Sequence, residues 1–263
     1  MVPRESLPTT SNAVLDRELV YYEDAYRTYI PGLFAKPAIV QFRRYLVERM
    51  LHATGAGAHS RVLSIGCGIG DTELLLGPQV AHVTGIDLSP AAIEEARRSA
   101  AARSASNVRF VAGNWQTALT GQEPFDLVIA IFFLHHLPET DLAGFAAQLT
   151  TVLREGGTFY ALDPSSLRLS GFLGELFVPK LMKKYQTENE HPLLPRSTAA
   201  HFRAVGLDTT TRWFDFTSTP LAGLFPSWAA GFRVARLVDE GLTRLPLLRE
   251  FGSNFELVAR KPL

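Results

Sequence analysis

The stretch Arg61-Val62-Leu63-Ser64-Ile65-Gly66-Cys67-Gly68-Ile69-Gly70 decides how the rest of the chain is read. Residues 61–65 carry Val62, Leu63 and Ile65 in a five-residue stretch, three alternate glycines follow at once, and then come Asp71-Thr72-Glu73. A run of that length bounded by turn residues reads as a buried strand. The glycines let the backbone turn tightly and lie against a ligand that a Cβ would hold off. The helix that follows opens on acids, which suit a helix N-terminus but repel a pyrophosphate placed there. The spacing is GxGxG, where dinucleotide loops carry GxGxxG. A nicotinamide cofactor is therefore disfavoured.

Working toward the C-terminus, residues 80–87 read as a second strand ending in Asp87, 21 residues after Gly66. A carboxylate at that place accepts two hydrogen bonds from a ribose diol. Residues 90–103 are alanine-rich and read as helix, and residues 108–111, 125–132 and 158–162 as further strands. Leu142, Phe145, Leu149 and Val152 mark one face of a helix opened by Pro138 and Glu139 and closed by Gly156 and Gly157. Buried strands joined by helices predict an α/β chain with a parallel sheet. Beyond Asp163 the rhythm changes. Residues 165–196 read as an insertion without a strand, and Ser197 as the cap of a short helix ending at Gly206. A strand over 210–216, an apolar helix-prone insertion over 219–250 and a last strand over 254–260 complete the chain, the two strands forming an antiparallel edge.

Toward the N-terminus, Leu15, Leu19, Tyr22, Tyr26 and Tyr29 share one face of a helix stopped by Pro31 and Gly32. Ile39, Phe42, Leu46 and Met50 define a second helix. The tyrosine stripe either docks that first helix on the core or walls a ligand.

Composition sets the outer limits. The chain has 263 residues, 46% hydrophobic and 20% charged, which is globular and neither disordered nor collagenous. Its 26 basic and 26 acidic residues cancel, so no long-range positive field gathers a polynucleotide. Cys67 is the single cysteine; neither a disulfide framework nor a cysteine-held metal is expected, and a reducing cytoplasm fits. The polar start MVPRESLPTTSN and the absence of an 18-residue apolar run predict no spanning helix.

With VLSIGCGIG, TGIDLS and LREGGTF in place, the chain resembles the class I S-adenosylmethionine-dependent methyltransferases of small-molecule type. The resemblance covers residues 59–163 well, the last strand loosely and the insertions hardly at all. It implies a Rossmann-like fold, a seven-stranded, mostly parallel sheet with helical lid insertions. It divides the chain into an N-terminal helical lid (1–58), a cofactor-binding core (59–163) and a C-terminal part of the same domain (164–263) with lid insertions over 165–196 and 219–250. It also implies S-adenosyl-L-methionine as cofactor, with Gly66, Gly68 and Gly70 along its amino-acid portion and Asp87 on its ribose. Ser64, Leu88, Asn114, Trp115 and Ile131 complete the expected cofactor set. Two departures stand out. The acid common in the first strand is Ser64 here, so cofactor orientation is expected to rest more on backbone groups; and Asn114 stands where an aspartate often meets the adenine.

Ligands of open α/β sheets bind outside the carboxyl ends of the strands. There the chain has Leu134-His135-His136-Leu137-Pro138 and Asp163-Pro164. The pair resembles O-methyltransferases in which a histidine after the fourth strand acts as base and an acid after the fifth assists. His135, His136 and Asp163 are the expected catalytic residues, with His191 as an alternative base. The leading expectation is O-methylation of a small, largely hydrophobic acceptor. C-methylation, S-adenosylmethionine binding without transfer, and a nicotinamide-dependent oxidoreductase are the alternatives. The apolar residues of the insertions, among them Phe172, Phe177, Phe225, Trp228 and Phe232, are expected to roof the acceptor. A homodimer interface and peripheral membrane contact are the competing uses of the same surface, the latter suggested by Lys180, Lys183 and Lys184.

Overall fold

Residues 61–65 form the third strand across a seven-stranded sheet of order β3-β2-β1-β4-β5-β7-β6. The structure is a computed structural model, and it describes residues 12–118, 123–172 and 191–263. Helices α1 (Asn12–Thr28), α2 (Ile30–Phe34) and α3 (Pro37–Thr54) precede β1 (Arg61–Ile65). Then follow α4 (Asp71–Leu76), β2 (His82–Asp87), α5 (Pro90–Ala102), β3 (Val108–Ala112), α6 (Trp115–Ala118), β4 (Phe125–Ile131), α7 (Glu139–Val152) and β5 (Leu153–Pro164). The last part holds β6 (Asp208–Asp215) and β7 (Asn254–Arg260), with helices over Pro195–Ala204, Ser218–Leu224 and Ala229–Leu242.

Strands β1 to β5 pair in parallel, and β7 runs antiparallel to both β5 and β6. The order reverses between β1 and β4, which opens a crevice at their carboxyl ends. Side chains of a strand alternate between faces. In β5, Tyr160 and Leu162 join Phe42, Leu46, Met50 and Phe214 on one face. Phe159 and Ala161 join Phe145, Phe202 and Phe255 on the other, where Phe159 and Phe202 stack at 5.2 Å. No helix among the described residues is long and apolar enough to cross a membrane.

Four boundaries differ from the sequence reading. Gly156 and Gly157 do not close α7, because the helix ends at Val152 and Leu153 already pairs with Phe125 in β5. A Cβ at Gly157 would lie 2.8 Å from the Arg154 carbonyl and 3.1 Å from that of Phe125, so the glycine serves an irregularity in the strand pairing. Pro31 does not stop α1; it sits in the first turn of α2, where a missing N–H costs nothing. Ser197 lies inside its helix, which Pro195 opens, and its Oγ donates to Glu139 Oε1 at 3.0 Å. Finally, β5 runs through Asp163 and Pro164, paired to Phe255 and Asn254, so Asp163 is a strand residue.

In the second insertion Phe232 is buried, whereas Leu224, Phe225 and Trp228 are half exposed. Phe177, Lys180, Lys183 and Lys184 lie outside the described residues.

A buried acid ties α3 to the sheet. Glu256 in β7 accepts from Tyr160 Oη at 2.6 Å and from Arg49 Nη2 at 2.6 Å, and the same nitrogen of Arg49 donates to the Trp213 carbonyl at 2.7 Å. Removing one partner of a buried pair strands the other charge. Arg49→Ala should therefore lower the unfolding free energy in urea by about 3 kcal/mol, and adding Glu256→Gln should restore part of it.

Candidate active site

The loop after β1 is shaped by its glycines. Gly66, Gly68 and Gly70 have φ of +69°, +53° and +74°, a region that strains any residue with a Cβ. At Gly66 and Gly70 a Cβ would also strike the rings of Phe133 (2.5 Å) and Phe110 (2.3 Å). At Gly68 the nearest group is the Tyr26 hydroxyl, 3.1 Å from where the Cβ would stand.

Asp87, at the end of β2, grips this loop. Its Oδ2 accepts from the Gly68 N–H at 2.8 Å and its Oδ1 from the Ser89 N–H at 2.9 Å. Burial raises its carboxyl above the ordinary value, against those two hydrogen bonds. Each oxygen keeps a further acceptor site, which is what a vicinal diol needs. Leu88 beside it is 53% exposed, and Ile131 is half-buried at the end of β4. Asn114 is exposed; its Oδ1 accepts from the Gln116 N–H at 2.9 Å and so opens α6. Trp115 packs edge-on against Phe145, 5.5 Å between centroids.

Ser64 does not leave the loop without an acid. Its Oγ donates to Glu73 Oε1 at 2.6 Å, and both residues are buried. The hydroxyl at Ser64 is thus joined to a carboxyl that arrives from α4. Burial pushes Glu73 up to about 7. In the sequence Glu73 looked like an ordinary first-turn acid, and nothing local marked it as buried.

A second cluster forms where β4 ends. Phe132 has φ of +53°, a strained value for a bulky residue, and turns the chain into the short helical turn Leu134–His136. Asp163 Oδ1 meets His135 twice, accepting from its backbone N–H at 3.2 Å and lying 2.8 Å from ring Nδ1. With Asp163 ionised, the proton sits on Nδ1 and Nε2 is left as an acceptor. The His136 ring lies 4.2 Å from that of His135, and Tyr22 of α1 meets His136 edge-on at 5.7 Å. The structure thus brings His135, His136 and Asp163 together. His191 donates its N–H to the His135 carbonyl at 3.1 Å, and the residue is exposed.

Helix α1 closes over both clusters. Glu23 Oε1 accepts from Ser89 Oγ at 2.5 Å and from the Ala91 N–H at 3.0 Å, so α1 caps α5 from outside. Burial opposes ionisation of Glu23, but these bonds and Arg27 hold its carboxyl below the ordinary value. Tyr26 lies half-buried over Gly68, and desolvation of its hydroxyl together with Asp87 pushes that group well above the ordinary range. Sequence reading found the tyrosine face but not Glu23, whose partners lie 66 and 68 residues away.

Comparison with known proteins agrees with this geometry. Residues 62–157 match the family described as a methyltransferase domain. Over 114 residues the chain is 29% identical to the uncharacterized methyltransferase YcgJ of Bacillus subtilis, an alignment covering 43% of this chain and 44% of that protein. Over 153 residues it is 31% identical to a ubiquinone biosynthesis O-methyltransferase of Xylella fastidiosa, covering 56% of this chain and 61% of the relative. The chain thus spans about half the length of these curated relatives. The crystal structure of magnesium protoporphyrin IX methyltransferase from Synechocystis PCC 6803, with bound S-adenosylhomocysteine, superposes with a TM-score of 0.65 over 94% of this chain and 99% of that one. At 14% identity that likeness speaks for the fold alone. Residues 62–157 thus match a methyltransferase domain, in keeping with the motifs around Gly66 and Asp87.

The Glu23 contacts should make α1 separable from the core. Glu23→Ala should speed amide exchange or proteolysis within residues 12–28 about 5-fold, the loss of roughly 1 kcal/mol of partly exposed hydrogen bonding, with little change in the melting of the sheet.

Proposed function

We propose that this protein moves the methyl group of S-adenosylmethionine to a hydroxyl oxygen of a small, largely hydrophobic acceptor. The observation that carries the reading is the His135–Asp163 pair at the carboxyl ends of β4 and β5, beside the glycine loop. When bound, the cofactor supplies an electrophilic methyl on a sulfonium. Gly66, Gly68 and Gly70 would hold its amino-acid portion, Asp87 its ribose, and Asn114 and Trp115 the neighbourhood of its adenine, with Leu88 and Ile131 completing the site. Acids at the start of α4 speak against a dinucleotide in the same loop.

The chain's own part is proton handling and enclosure. Asp163 fixes the His135 ring with Nδ1–H toward the carboxylate, so Nε2 takes the proton of the acceptor hydroxyl as oxygen becomes nucleophilic. His136 packs beside that ring and Tyr22 of α1 packs in turn on His136, a cover that would help to keep water from the pair. The half-exposed Leu224, Phe225 and Trp228 offer an apolar flank to the acceptor. A cytoplasmic location goes with the free, buried Cys67.

Burial of His135, 7% exposed, favours a second reading in which the pair braces the turn after β4 and transfer goes to carbon or does not occur. Two measurements decide. Asp87→Ala should weaken S-adenosylhomocysteine at least 30-fold in calorimetry, the loss of two charge-assisted hydrogen bonds. His135→Gln should lower turnover on hydroxyl acceptors about 100-fold while cofactor affinity stays within twofold. Wild-type turnover in that variant would transfer the assignment to the second reading.

A further inference from the structure

Glu73 is a buried acid that the mechanism above does not use. It is 2% exposed in the first turn of α4, and its bond to Ser64 joins the end of β1 to the start of that helix. The bond closes the glycine loop across its base, while Asp87 holds the loop from its other side through Gly68. Glu73 Oε2 is buried and has no hydrogen-bond partner among the described residues.

The charges facing Glu73 leave it short of a cation. Asp71 on the same helix and Cys67 in the loop add no positive charge. Arg43 from α3 is the facing cation, and it is committed to Asp71 at 2.7 Å and to Thr72 Oγ1 at 3.2 Å. A buried carboxylate with one oxygen unpaired is costly unless something cationic approaches.

We propose that Glu73 is a positioning residue for the amino-acid end of the cofactor, setting the loop's curvature through Ser64 and supplying the negative charge that makes the loop select a ligand with an α-ammonium group. The proposal rests on the cofactor reading above. It accounts for the missing acid in β1 without giving the work to backbone groups. It also ties ligand binding to pH. An ammonium ligand favours ionised Glu73, which in the free protein ionises only around 7. Affinity for such a ligand should then be low at about pH 6, rise through neutrality and level off by about pH 8.

The test compares S-adenosylhomocysteine with 5′-deoxy-5′-methylthioadenosine, which keeps adenine, ribose and sulfur but lacks the amino acid. In calorimetry at about pH 8, Glu73→Gln should weaken the first about 10-fold or more and leave the second within twofold. The wild-type pH rise should appear for the first ligand alone, an arm that needs no variant. Ser64→Asp in a Glu73→Ala background returns the carboxyl across the same bond and should restore much of the lost affinity. Equal loss of both ligands in Glu73→Gln, or an unchanged affinity for the homocysteine ligand, overturns the proposal alone. A wild-type protein that binds neither ligand overturns the cofactor reading, and this proposal with it.

Discussion

The Asp87 carboxylate is the point on which the site hangs. One oxygen holds the Gly68 N–H of the loop after β1, and the other holds the Ser89 N–H that leads into α5. Two crossovers of the sheet are thereby fixed to one side chain at the carboxyl edge of β2. Ser89 extends the chain of contacts, accepting from the Ala92 N–H at 3.1 Å and donating to Glu23 of α1. The glycine loop, α5 and α1 therefore share one hydrogen-bonded run. The left-handed glycines let the loop come close enough to join it, because at Gly66 and Gly70 aromatic rings already fill the space a side chain would need.

The second cluster follows a different logic. Its geometry comes from pairing in the antiparallel half of the sheet, since Asp163 is held in register against Phe255 of β7. The strained Phe132 then swings residues 133–136 back so that His135 meets that carboxylate with both backbone and ring. A left-handed phenylalanine costs on the order of 1 kcal/mol, and the two Asp163 contacts offset it. Strain of this kind persists only where neighbours over-determine the backbone, and Phe42, 6.1 Å from the Phe132 ring, is one of them.

What the sequence made legible was local. A strand, a glycine loop and an acid at the next strand's end each carry their physical requirement in their own residues, so β1, β2 and Asp87 could be read directly. That a histidine after the fourth strand works with an acid after the fifth was implied by the resemblance, with His135 and His136 both open; the spacing of His135 and Asp163, 28 residues apart, says nothing of contact. Gly156 and Gly157 were misread because a glycine pair after a helix looks the same whether it caps the helix or relieves crowding between strands. Glu73 and Glu23 were invisible as site residues, since an acid on a helix is ordinarily a solvated face. Only the fold shows Glu73 against Ser64 and Glu23 against the start of α5.

The sheet order explains why the two clusters differ in character. Strands β3, β2, β1 and β4 carry the glycine loop and Asp87, and these match the methyltransferase-domain family over residues 62–157. Strands β7 and β6 lie beyond that span, with helices inserted between them. Asp163, on β5, also lies beyond it and pairs with Phe255 of β7, while β4 holds β5 as far as Leu162. A change in the inserted helices that shifts β7 would therefore move the Asp163 carboxylate relative to His135, while β1 and β2 keep their own register. Such a division would let changes in the inserted helices alter the alignment of the proposed base without disturbing the loop that Asp87 and Glu73 hold.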